Sequence, residues 1–167
     1  MKNKYVDLKN AREDEQLKVM QQILAEGHCP FCLENLMKYH KQQILYSGKH
    51  WILTYNQWPY PNTKLHLLLI LKYHAETARE VRKGTGDEMY KIMAWAEETF
   101  NIPGGAFGAG AMAQRFKRSE FSGSTVRHLH IQYVVPDIKK LRIKKNAPFY
   151  KKFVVFFIGK PLKTKKK

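Results

Sequence analysis

Gly123-Ser124-Thr125-Val126-Arg127-His128-Leu129-His130-Ile131-Gln132-Tyr133-Val134-Val135-Pro136 is the most informative stretch of this chain. Apolar and polar residues alternate through its middle, the period of a strand with one face buried. The pattern predicts a strand over 126–135, ended by Pro136. On such a strand His128, His130 and Gln132 share one face. Leu129, Ile131 and Tyr133 share the other and anchor it in the core. Three polar side chains in a row are costly to bury without partners, so they call for a ligand, a metal or solvent. The Gly123-Ser124-Thr125 turn offers hydroxyls and backbone N–H groups that suit phosphate oxygens. Two imidazoles beside such an anion site make a phosphoryl or nucleotidyl transfer centre. A solvated face that carries two histidines is the plain alternative.

Outward from this strand, the pattern alternates between helical and extended periods. Residues 12–26 predict a helix whose apolar face is Leu17, Met20 and Leu24, flanked by Val19 and Ile23. Asp14 and Glu15 sit near its start, where the helix dipole favours anions, and Gly27 stops it. Short strands are expected at 43–46 and 51–55, with a turn at Ser47-Gly48. Pro59, Pro61 and Asn62 make 58–63 a loop. The near-continuous apolar run 65–71 predicts a strand buried on both faces. A second helix is expected over 87–100, with Asp87 as N-cap and Met89, Ile92, Met93 and Ala96 as its core stripe. The Gly-rich segment 105–116 and the apolar segment 153–158 predict two more strands. The whole reads as an α+β domain with a mostly antiparallel sheet and two main helices.

The chain has 167 residues, 44% apolar and 26% charged, which suits one globular domain with its own core. No apolar run approaches the roughly 20 residues of a membrane span, so no membrane partner is expected. Residues 1–14 lack the apolar core of a secretory signal, which predicts a cytoplasmic protein. The net charge is +16, and residues 139–167 hold twelve bases and no acid. The remainder has eighteen bases against fourteen acids, so the excess belongs to the C-terminal arm. Such an arm attracts anionic partners, nucleic acid among them, although residues 163–167 read first as a solubilising tail.

Cys29 and Cys32 are too few and too close together to form a disulfide framework, and they read as a metal or redox pair. They follow a helix instead of opening one after a strand, which disfavours the redox reading. His28 adjoins the pair and His40 follows it at finger-like spacing, so both compete as further ligands. Reduced, buried thiols are the alternative to a metal site.

The segment from Gly123 to Gln132 resembles the signature of the histidine-triad (HIT) superfamily, His-φ-His-φ-His with φ apolar. Gln132 at the third position is similar to the branch of galactose-1-phosphate uridylyltransferase and the dinucleoside polyphosphate phosphorylases. Cys29-Pro-Phe-Cys32 resembles the Cys-x-x-Cys of zinc-containing HIT proteins. Tyr60-Pro61 with the stretch from His66 to His74 is similar to the family's Pro and His-φ-φ-φ-φ-Pro-Lys-x-His, with Leu71 at the usual proline. The matching segments span residues 29–136 in the family's order.

The resemblance implies an N-terminal helical segment at 1–27, a HIT-like domain at 28–160 and a basic tail at 161–167. It implies a homodimer. It makes His130 the nucleophile, which attacks the α-phosphorus of a nucleotide, and Gln132 the holder of the transferred phosphoryl group. Gly123, Ser124 and Thr125 would bind substrate phosphate, although most relatives carry Gln where Ser124 stands. Cys29, Cys32, His74 and His128 would hold a structural zinc ion. A dinucleoside polyphosphate is the first substrate expected, and a nucleotide sugar the second. Glutamine does not titrate near neutral pH, which favours transfer to an acceptor other than water, or slow hydrolysis, so the resemblance implies a nucleotidyl transferase or hydrolase.

Two readings of other classes remain beside this one: a HIT enzyme that processes nucleic-acid ends, and a zinc-stabilised nucleic-acid-binding protein without catalysis. His66 reads as a satisfied core histidine first and a supporting site residue second. Trp51, Tyr55, Trp58 and Tyr60 read as core and loop packing, with base stacking as an alternative. Arg115, Lys117 and Arg118 are either a polyphosphate contact or a solvated basic loop.

Overall fold

The computed structural model describes residues 5–61, 63–102, 111–115 and 124–137, with the backbone alone for 111–115 and 136. Five strands form one sheet: β1 (Ile44–Ser47), β2 (Trp51–Tyr55), β3 (Thr63–Leu71), β4 (Ala111–Arg115) and β5 (His130–Pro136). Their spatial order is β1-β2-β3-β5-β4, and every neighbouring pair is antiparallel. Three helices complete the described fold: α1 (Asp14–Glu26), α2 (Leu33–Tyr39) and α3 (Thr85–Thr99). This is an α+β architecture, as the sequence predicts.

Register divides the sheet into two unlike faces. Trp51 pairs with Leu71 and Leu53 with Leu69, while Leu67 pairs with Tyr133 and Leu69 with Ile131. These side chains, with Leu129, form one buried cluster against Met89, Ile92 and Ala96 of α3. The opposite face carries the intervening residues. Thr54, Leu68 and Gln132 make one row across three strands, and Ile52, Ile70 and His130 make the next. Helix α2 covers part of this second face, where Leu36 packs on Ile52, Leu68 and Ile70. The α3 face is therefore all core, while the other face has polar groups set into it.

Helix α1 ends as expected at Gly27, which takes a left-handed φ of 72°. Its buried residues are Gln16, Met20 and Ile23, whereas Leu24 is 36% exposed. The buried stripe is thus rotated from the expected Leu17–Met20–Leu24 face, because the helix packs on the N-terminal segment, Tyr39 and Val126. Helix α2 was not expected; seven residues are too few to show a period. Helix α3 begins two residues before the expected start. Gly84, at φ 84°, is its N-cap, and Asp87 lies within the first turn.

Strand β5 begins at His130, not Val126. The backbone before it bonds elsewhere. Arg127 N–H donates to the Tyr5 carbonyl (2.8 Å) and Leu129 N–H to the Ala75 carbonyl (2.7 Å). Val126 makes only an isolated bridge to Val6. The expected common face persists all the same: Leu129 stays with Ile131 and Tyr133 in the α3 cluster, and the Phe31 ring stands edge-on to both His128 and His130, with centroids 6.0 and 5.1 Å away. The expected strand at 153–158 lies outside the described residues, and of the 105–116 segment only 111–115 is described.

Ile92 is 1% exposed at the helix–sheet contact. Ile92→Ala is expected to cost about 2–5 kcal/mol in urea unfolding, at unchanged m-value. Leu24→Ala, on the exposed face of α1, is expected to change stability by no more than about 0.5 kcal/mol.

Candidate functional site

His130 opens β5 and is 3% exposed, in the row with Ile52 and Ile70. Its Nδ1 lies 2.7 Å from the His128 carbonyl oxygen. A carbonyl only accepts, so the proton sits on Nδ1 and the lone pair on Nε2. The Phe31 ring stands edge-on to His130, with centroids 5.1 Å apart, and fixes the ring from the side. An imidazole with one nitrogen held by a fixed acceptor and the other set as the nucleophile is the arrangement nucleophilic catalysis requires.

Gln132 follows two residues on, in the row with Thr54 and Leu68. Its Oε1 lies 3.1 Å from His66 Nε2. The Tyr60 backbone N–H donates to His66 Nδ1 at 3.0 Å. A backbone donor cannot rotate, so Nδ1 accepts there and Nε2 is the nitrogen that faces Gln132. Asn56 Nδ2 stands 3.0 Å from the same Nε2, but Asn56 is itself held by the Trp58 N–H donating to its Oδ1 (2.8 Å). Gln132 is thereby held beside His66 with its amide in the cleft. His66 is 4% exposed and satisfied, as a core histidine should be, and it also orients the third residue of the motif.

Both His130 and Gln132 line an open cleft between the sheet and the N-terminal elements. Thr125 lines it as well, but Ser124 does not. The Ser124 hydroxyl donates to the Val126 carbonyl (2.6 Å) and is 1% exposed, so it serves the turn. Gly123 lies outside the described residues. The N-terminal segment closes one side of the cleft. Asp7 N–H donates to the Thr125 carbonyl (2.9 Å), and Asn10 Nδ2 donates to that of Ser124 (2.9 Å). Arg12 reaches the same cleft, where its guanidinium stacks 4.4 Å above the Tyr60 ring and donates to the Trp58 carbonyl. No pattern in the sequence marks Arg12, because it reaches the site through the path of the chain. Of the expected basic residues, Arg115 is in backbone register with His130, and Lys117 and Arg118 lie outside the described residues.

A second centre adjoins the first. One ligand atom each from Cys29, Cys32, His74 and His128 falls within 4.8 Å of the others. Cys29 Sγ lies 3.3 Å from His128 Nδ1, Cys32 Sγ 3.6 Å from His74 Nδ1, and Cys32 Sγ 3.9 Å from His128 Nδ1. A tetrahedral zinc ion sets its sulfur and nitrogen ligands about 3.3–3.8 Å apart, so the cluster fits it with little movement. The remaining ring nitrogens are committed. His128 Nε2 donates to the Leu71 carbonyl (2.8 Å), and His74 Nε2 pairs with Glu76 (3.4 Å), which also meets Arg127. Both imidazoles therefore present an Nδ1 lone pair to the centre, held by outer partners.

The hydrogen bond between the two thiols lowers the Cys29 pKa, against its burial, and raises that of Cys32, with burial, to about 12. Two soft sulfurs and two imidazoles are compatible with zinc, in a closed four-ligand set of the structural kind. The rival ligands lie elsewhere. His28 Nε2 is on the Tyr39 hydroxyl and Glu26, and His40 Nε2 is on Thr54. Trp51 is core, and its Nε1 donates to the Thr85 carbonyl (2.9 Å). Tyr55 packs on Phe100, while Trp58 and Tyr60 line the cleft.

Comparison with known proteins places this geometry in a fold. No protein-family model matches the chain, and no curated protein does. Among solved structures, the histidine triad nucleotide-binding protein from Candida albicans superposes at TM-score 0.51 with 16% identity. That match covers 66% of this chain and 76% of the other. A hypothetical protein from Leishmania major superposes at TM-score 0.51 and 17% identity, over 72% of this chain and 77% of that one. The chain therefore has the histidine-triad fold, as its motif suggests. Among the described residues, no helix is long and apolar enough to cross a membrane.

The donor set predicts one zinc ion per chain, by elemental analysis of the purified protein. Cys32→Ser is expected to abolish that stoichiometry, and a strong chelator to lower the melting midpoint of the wild type by about 5 °C or more. Burial lowers the His40 pKa from 6.5 to about 4. The unfolded chain then binds the extra proton first, so stability is complete above about pH 6.5 and falls as the pH drops toward 4. His40→Gln is expected to remove on the order of 2–3 kcal/mol of that fall, read as a flatter dependence of unfolding free energy on pH.

Proposed function

We propose that the chain is a HIT-superfamily enzyme, of the zinc-containing His-φ-His-φ-Gln branch, that transfers a nucleotidyl group through His130. The observation that carries this reading is the hydrogen bond from His130 Nδ1–H to the His128 carbonyl, at a histidine that lines an open cleft. Nε2 attacks the α-phosphorus of a nucleoside polyphosphate. An N–P bond forms, the bridging P–O bond breaks, and the leaving phosphate takes the electron pair. An incoming acceptor then breaks the N–P bond and restores the imidazole.

The residues around the nucleophile suit an anionic leaving group. Gln132 has no proton to give, and a polyphosphate departs as an anion without needing one. The Gln132 amide N–H groups, oriented by His66, donate to the phosphoryl oxygens as charge builds on them. Thr125 and Arg12 line the same cleft and add a hydroxyl and a positive charge. This combination favours a dinucleoside polyphosphate as substrate. A bound zinc ion would supply structural anchoring through Cys29, Cys32, His74 and His128. His128, as one of those ligands, would be fixed in place, and its carbonyl sets the tautomer of the nucleophile. The basic C-terminal arm lies outside the described residues and takes no part in this argument.

Covalent trapping tests the proposal. Wild type and His130→Ala are mixed with nucleotides labelled on the α-phosphate, diadenosine tetraphosphate among them, then quenched in alkali and weighed intact. One nucleotidyl group is expected on the wild type and none on the variant. Turnover in His130→Ala is expected to fall by roughly 10⁴-fold or more. Gln132→Ala is expected to lower kcat by about 10²-fold while the adduct still forms. Full turnover in His130→Ala would overturn the reading.

A further inference from the structure

His40 belongs to neither centre, yet it is 4% exposed and lines the cleft. Thr54 decides its proton. The Thr54 hydroxyl has one hydrogen, which it donates to the Gln43 carbonyl at 2.7 Å. Its oxygen lies 2.8 Å from His40 Nε2 and must therefore accept there. So Nε2 carries the His40 proton and Nδ1 carries a lone pair. Among the described residues, no group pairs with that Nδ1. Arg127 Nε is the one side-chain atom among the described residues that is sealed in without a hydrogen-bond partner, so the His40 Nδ1 lone pair is open to the cleft, where a ligand donor or water meets it.

Position tells which part of a ligand would do so. Thr54, Leu68 and Gln132 form one row across β2, β3 and β5. Two interstrand steps separate Thr54 from Gln132, on the order of 10 Å. That is the span from the 5′-phosphate of a nucleotide to the far edge of its base. Between the two ends the cleft is apolar, with Leu68 beneath and Met20, Ile23, Phe31 and Tyr39 around it. A flat base suits these walls. Resting on the nucleotide reading above, we infer that His40 is a specificity-determining residue whose Nδ1 accepts a hydrogen bond from an exocyclic amino group on the base. Burial keeps the ring neutral, with a pKa of about 4, so the acceptor persists through the neutral pH range. A base with only a carbonyl at that edge would face lone pair against lone pair and be rejected.

Equilibrium binding of two probes that differ in that one group tests the inference. Adenosine 5′-monophosphate carries the amino group, and purine riboside 5′-monophosphate has hydrogen in its place. Wild type is expected to bind the first about tenfold more tightly, the size of one net hydrogen bond. His40→Phe keeps an aromatic ring and removes the acceptor, and it is expected to bind the two probes within about twofold of each other. Equal affinities in the wild type would overturn the role of His40 and leave the nucleotide reading standing. Binding of neither probe would overturn both. The wild-type comparison decides the matter even where the variant does not fold.

Discussion

The 2.7 Å contact between His130 Nδ1 and the His128 carbonyl joins the two halves of the molecule. His128 is held through both ring nitrogens, Nε2 by the Leu71 carbonyl and Nδ1 by the cysteine pair. Its backbone therefore has little freedom, and its carbonyl presents a fixed acceptor to the next histidine but one. Without that acceptor the His130 imidazole could carry its proton on either nitrogen. The nucleophilic nitrogen is thus chosen by the main chain of a residue whose side chain serves another centre.

The same segment explains the shape of the sheet near the site. The ladder is interrupted at residues 127–129, yet His128 stays on the His130 face, because Leu129 keeps the alternation with Ile131 and Tyr133. The Arg127 and Leu129 N–H groups instead donate to Tyr5 and Ala75. These two bonds satisfy backbone donors that the ladder would otherwise have used. The N-terminal segment contributes half of those partners and closes the cleft in the same step. A feature that sets metal geometry, strand start and cleft wall together tolerates little change.

Polar groups on the site face are ordered by donors and acceptors that cannot turn. Tyr60 N–H settles His66, and His66 settles Gln132. The Gln43 carbonyl settles Thr54, and Thr54 settles His40. Each chain starts at the backbone and ends at a side chain lining the cleft. Polar atoms inside an otherwise apolar face are affordable on those terms, and they arrive already oriented for a ligand.

Much of this was legible in the sequence. Alternation located the central strands and the two long helices, because burial of one face imposes a period that the residues must show. Gly27 marked the end of α1, because only a residue without a Cβ turns left-handed there at no cost. The motif from His128 to Gln132 and the cysteine pair named both centres, since residue type carries that chemistry. Other features depend on what lies across the fold. Helix α2 is too short to have a period, and α1 buries Gln16 where the pattern favoured Leu17 and Leu24. The contacts of His128, the role of His66 and the positions of Arg12 and His40 were decided by partners 10 to 99 residues away or by the path of the chain. A single sequence shows what each side chain can donate or accept. Only the tertiary structure shows which partner stands opposite, and that choice sets every tautomer at the site.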